Sequence, residues 1–111
     1  MEYYFVGDRE LVTAFRFVGI DGAVARKPED ARRAFSRLTK GIDEDTGLPV
    51  RESCRVLILT EETADWLGDD LTDWQLSGKY PLIVEIPGIA GPIEGRKTLV
   101  DAIREAIGIH V

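Results

Sequence analysis

Three kinds of residue in this 111-residue chain could do chemistry: the acid after an apolar block, in Gly7-Asp8-Arg9; a single thiol, Cys54; and a single imidazole, His110. In an open α/β sheet the default ligand site is the crevice at the carboxyl ends of the strands. Here that rim is read as Gly7, Asp8, Arg9, Thr60, Glu61, Glu62 and Pro87. Gly7-Asp8-Arg9 lacks the later glycines of a dinucleotide fingerprint, and no Gly-Lys-Ser/Thr phosphate loop occurs. No Gly-x-Ser-x-Gly elbow is present. One histidine, beside the end of the sequence, argues against a His-dependent triad. A phosphoryl-accepting receiver site needs an aspartate ending the third strand, where Leu59-Thr60 stand instead. Asp8 therefore reads as a helix cap, a role that its short carboxylate suits. Asp43, Glu44 and Asp45 are adjacent rather than alternate, which does not fit a calcium loop. Glu85, inside an apolar block, calls for a partner or an edge position, because an unpaired buried carboxylate is costly. No catalytic residue, metal ligand or cofactor-binding residue is assigned.

The elements that would position these groups follow from hydrophobic period. Tyr3–Val6, Val56–Leu59 and Leu82–Ile86 are short β-branched or aromatic blocks between breakers, and the last reads as a strand buried on both faces. Ala23–Ala25 is a weaker strand. Leu11, Phe15 and Val18 recur at helical spacing over 9–17. Pro28 and Glu29-Asp30 open a second helix with Ala31, Ala34, Phe35 and Leu38 inward; Arg32, Arg33 and Arg37 face water, and Gly41 stops it. Residues 42–53 read as an acidic loop. Thr60 caps a helix ending at Leu67, Gly68-Asp69-Asp70 interrupts it, and 71–76 resumes; Trp66 and Trp74 read as core. A glycine-bearing connector, 89–96, leads to a last helix, 97–109, capped by Thr98. The order β-α-β-α-β-α-β-α implies one domain: a four-stranded parallel sheet with helices on both faces, its core spanning 1–88, of the receiver-like or Rossmann-like α/β class.

Bulk properties agree with a small globular domain. Hydrophobic residues make up 44% and charged residues 31% of the chain, and the net charge is -6. That sign argues against nucleic acid as a partner, which would favour a basic face. One cysteine cannot form an internal disulfide and suits a reducing compartment. No apolar run approaches the ~20 residues of a membrane span, and no signal peptide is visible. A cytoplasmic protein is expected, touching a membrane through a partner.

The last helix carries apolar residues on more of its circumference than one packing face needs; the pattern fits a partner-binding helix and equally a terminal helix that covers the sheet. Longer motifs point to the first. Gly7-Asp-Arg-Glu-Leu-Val-Thr-Ala-Phe-Arg-Phe-Val-Gly-Ile20 resembles the N-terminal signature of the F subunit of the V-type (archaeal/vacuolar-like) ATPase and ATP synthase. Lys79-Tyr-Pro-Leu-Ile-Val-Glu-Ile-Pro87 is similar to that family's second signature, and Ile103-Arg-Glu-Ala-Ile-Gly-Ile109 to its C-terminal helix. Ala14 stands where the family pattern has glycine, and the 41–53 loop is longer than the pattern. The resemblance implies a non-catalytic component of the central rotor shaft that binds the D subunit and helps couple proton or sodium movement to ATP synthesis or hydrolysis. It implies contacts with the D subunit at Pro87, Ile89, Ile93, Leu99, Val100, Ile103, Ile107 and Ile109. The competing reading is a receiver-like or small-ligand-binding module that uses the Gly7/Asp8 rim.

Overall fold

The computed structural model describes residues 1–96 together with Ile103 and Ala106, both helical. The elements run β1 (Tyr3–Gly7), α1 (Arg9–Phe17), β2 (Asp21–Val24), α2 (Pro28–Thr39), β3 (Val56–Thr60), α3 (Glu61–Leu67), α4 (Asp69–Ser77) and β4 (Leu82–Ile86). All four strands are parallel, in the order β2-β1-β3-β4. The expected class and strand number therefore hold.

Strand order decides where the helices go. The first crossover moves from β1 outward to β2. The next two run the opposite way, from β2 past β1 to β3 and from β3 to β4. Right-handed crossovers in opposite directions lie on opposite faces. One face accordingly carries α2, α3 and α4. There Tyr4, Val6, Leu57, Leu59 and Ile83 pack with Ala31, Ala34, Phe35, Leu38, Ala64, Leu67 and Leu71. The other face carries α1, whose Phe15 ring lies 4.6 Å from that of Phe5. Phe5, Leu57 and Leu59 are essentially inaccessible, and burying each contributes roughly 1.5–3 kcal/mol.

Local signals explain most boundaries. The Thr60 hydroxyl accepts the Thr63 amide at 3.2 Å, the predicted cap of α3. Gly41, at φ +68, follows the end of α2. Trp74 is half-buried, its Nε1 donating to the Pro81 carbonyl at 2.9 Å and its ring meeting Phe35 edge-on at 6.2 Å. The 42–53 loop is pinned to α2: Ser36 donates to Glu44 at 2.7 Å and Arg37 pairs with Glu52.

Four expectations change. β2 begins two residues early, because Gly22 lets the strand close on β1: a Cβ there would stand 2.6 Å from the Phe5 carbonyl oxygen. In α1 the buried side chain is Val12, while Val18 is 73% exposed at the helix C-cap. Arg37 is half-buried rather than in water. The fourth concerns β4. It is an edge strand, and Leu82 and Val84 are 49% and 44% exposed rather than covered. The capping motif at Thr98 lies outside the described residues.

Candidate functional site

The carboxyl edge of the sheet assembles the acids that the sequence places there, but in unforeseen roles. Asp8 sits at the N-cap of α1 with extended backbone angles, yet its side chain makes no cap bond. Its carboxylate accepts the amide of Ile89 at 2.8 Å instead. The close seat of Gly88 allows this, since a Cβ there would meet the same oxygen at 3.0 Å. Gly7 before it is equally confined: its Cβ would fall 2.5 Å from Thr60 Cγ2 and 2.6 Å from Phe5 Cζ. The Gly7-Asp8 pair is thus a packing glycine followed by a long-range anchor.

Two further anchors come from α3 and β4. Glu61 accepts the Ile93 amide at 3.1 Å. Arg96 donates from Nε to Asp65 at 2.8 Å and from Nη2 to Glu85 at 2.7 Å, with Nη1 3.5 Å from Glu61. The Arg96 side chain is 10% exposed and those of Glu61 and Glu85 14% each. Burial works against the Arg96 charge; the hydrogen bonds to Glu85 and Asp65 outweigh it and leave its pKa above the ordinary arginine value. Glu85 has the partner that its place in β4 demanded.

Beside this strap is an open crevice of about 370 Å³, lined by Asp8, Arg9, Glu10, Arg26, Glu62 and Ile89. Three carboxylates against two guanidinium groups give it no dominant sign. Among the described residues no group of three or more His, Cys, Asp or Glu side chains is arranged to hold a metal ion.

The second feature is the half of the α1-side sheet face that no described helix covers. Phe5, Ile58 and Val84 are register partners across β1, β3 and β4. Phe5 lies fully under α1, Ile58 is half-buried, and Val84 is 44% exposed. Leu82 on the same face is 49% exposed and Tyr3 49%. The cause is topological: α1 covers β1 and β2, and no other described helix lies on this side.

Of the residues that the resemblance assigns to partner contact, Pro87, Ile89 and Ile93 are exposed on β4's exit and the connector, and Ile103 is 47% exposed. Leu99, Val100, Ile107 and Ile109 lie outside the described residues. Sequence reasoning missed Arg96, Leu82 and Val84. Leu82-Ile83-Val84 is apolar without alternation, and the strand's one charge, Glu85, lies on the covered face, so no local signal marks the open one.

These features occur in a chain with clear relatives. The family described as the ATP synthase (F/14-kDa) subunit matches residues 4–107. The F subunit of the A-type ATP synthase of Methanothermobacter thermautotrophicus is 33% identical over 109 residues, covering 96% of this chain and 92% of its own. That of Pyrococcus furiosus is 27% identical over 113 residues, with 100% and 98% covered. That of Methanocaldococcus jannaschii is 30% identical over 107 residues, with 96% and 94% covered.

Proposed function

The chain belongs to the family of the ATP synthase (F/14-kDa) subunit, and from that premise we propose that it is a non-catalytic component of the central stalk that binds the D subunit. It is part of a rotary ATP synthase/ATPase complex of the archaeal A/V type. In the proposed role it transmits rotation between ion movement, of protons or sodium, and ATP synthesis or hydrolysis, without carrying out either reaction. It works in the cytoplasm, peripheral to the membrane and held there by the complex. No described helix is long and apolar enough to cross a membrane.

The observation that carries the reading is the open apolar half-face at Leu82 and Val84. Aliphatic side chains on a sheet face gain roughly 25 cal/mol for each Å² removed from water, so a partner helix laid there is stabilised by the burial that α1 does not provide. Pro87, Ile89 and Ile93 add exposed apolar side chains beyond the strand's end. The C-terminal contacts, Leu99, Val100, Ile103, Ile107 and Ile109, complete the proposed set that meets the D subunit.

Co-expression with the D subunit followed by size-exclusion chromatography tests the role. A stable co-eluting complex is expected, weakened by Val84→Lys and by Ile103→Asp while the isolated variants melt near the parent temperature. Separate elution at micromolar concentration would overturn the reading. Loss of folding in Val84→Lys, rather than of binding, would make the open face part of the core.

A further inference from the structure

We propose that Arg96 and four rim carboxylates, Asp8, Glu61, Asp65 and Glu85, form a clamp that shuts residues 87–96 over the carboxyl edge of the sheet and holds residue 96 on its three-helix side. The connector has little else to order it. Gly91 and Gly95 take φ +95 and +74, and glycine loses more conformational freedom on ordering than any other residue. Its two isoleucines do not supply a core, since Ile89 is 63% and Ile93 41% exposed. What holds it is polar: the Ile89 amide on Asp8, the Ile93 amide on Glu61, and the Arg96 guanidinium between Asp65 and Glu85.

The anchors differ in kind. Asp8 reaches across 81 positions of sequence from the end of β1. Glu61 and Asp65 belong to α3, and Glu85 lies in β4 on the face that α3 covers, beside Leu59 in register. Arg96 is therefore drawn to the three-helix side of the sheet. Leu82 and Val84 look out from the opposite side. While the clamp is shut, residue 96 is held on the side of the sheet away from Leu82 and Val84. This holds whatever partner that half-face takes.

Charge makes Arg96 the point of control. Three carboxylates share one guanidinium, so removing the cation leaves three anions close together in a partly buried place, where repulsion is poorly screened. Lysine restores a charge but not the planar fork that reaches Asp65 and Glu85 together.

Amide hydrogen exchange of the full chain, read residue by residue by NMR, tests the clamp in Arg96→Gln, Arg96→Lys and Asp8→Ala. Local opening exposes particular amides without global unfolding. In Arg96→Gln the Ile93 and Ile89 amides exchange about tenfold faster or more, with the strand amides of Phe5 and Leu57 unchanged. Arg96→Lys falls between, and Asp8→Ala speeds Ile89 more than Ile93. Unchanged exchange at both connector amides in Arg96→Gln overturns the clamp. So does acceleration spread equally over β1 and β3, which would make Arg96 a residue of general stability.

Discussion

Adding one methyl group to Gly7 tests whether the signature turn is dictated by packing. In Gly7→Ala the new Cβ stands 2.5 Å from Thr60 Cγ2, 2.6 Å from Phe5 Cζ and 3.2 Å from Phe5 Cε2. Carbon atoms rest comfortably at about 3.5–4.0 Å, so two contacts overlap by about 1 Å. Neither neighbour has room to retreat, as Phe5 is 0% and Thr60 1% exposed. Overpacking of this kind costs about 1–3 kcal/mol. The alanine also restricts the unfolded chain, which offsets about 0.4–1 kcal/mol. A net loss of about 1–2 kcal/mol lowers the melting temperature by roughly 5–15 °C in a domain of this size. Circular dichroism melts and urea titrations measure both quantities. Thr60→Ser isolates the cause, because it deletes the opposed methyl and keeps the oxygen that caps α3. The double variant should then lose less than the sum of the two single losses, with a coupling of about 0.5–1.5 kcal/mol. A melting temperature for Gly7→Ala within about 2 °C of the parent refutes the reasoning. Strict additivity in the cycle refutes the assigned contact.

Two further outcomes follow from buried groups. Trp74→Phe removes the Nε1 bond to the Pro81 carbonyl and should cost about 0.5–1.5 kcal/mol in urea unfolding; no change would mean that water satisfies that carbonyl equally well. Burial, with Glu52 nearby, raises the Tyr4 pKa above its ordinary 10.0, and burial raises the Cys54 thiol above 9.0. Folding therefore favours the protonated forms. Their share of stability is fully present below the unfolded values and is lost as pH rises through the folded ones. The urea midpoint should fall as the pH climbs past about 9, and less steeply in Tyr4→Phe; a flat midpoint to about pH 11 contradicts this.

What the sequence made legible is what short-range physics determines. Apolar blocks between breakers located β1, β3 and β4, and the stripe Ala31, Ala34, Phe35, Leu38 oriented α2 correctly. The Thr60 cap is a contact three residues long and was readable. Asp8 was misread because its partner, Ile89, is 81 residues away and leaves no periodic trace near residue 8. Arg96 was invisible for the same reason, its acids lying 11 and 31 positions back. The exposure of β4 depends on strand order, which local pattern does not encode; an apolar block reads alike at an edge and in the centre. Val18 falls off the packed stripe because α1 stops at Phe17, one residue before it, and Val12 is the helix's buried side chain. The partner-contact positions rested on motif likeness, and Leu99, Val100, Ile107 and Ile109 lie beyond what the structure describes.

The described helices coat the sheet unevenly, and a single strand answers to two masters. Along β4, Ile83 points into the three-helix side, while its neighbours Leu82 and Val84 point to the bare one. Damage at the first weakens the molecule itself, whatever surrounds it. In the proposed role, damage at the other two leaves a sound molecule that has lost its fit. Tolerance to change should therefore flicker from one residue to the next, odd positions guarded by folding and even ones by company.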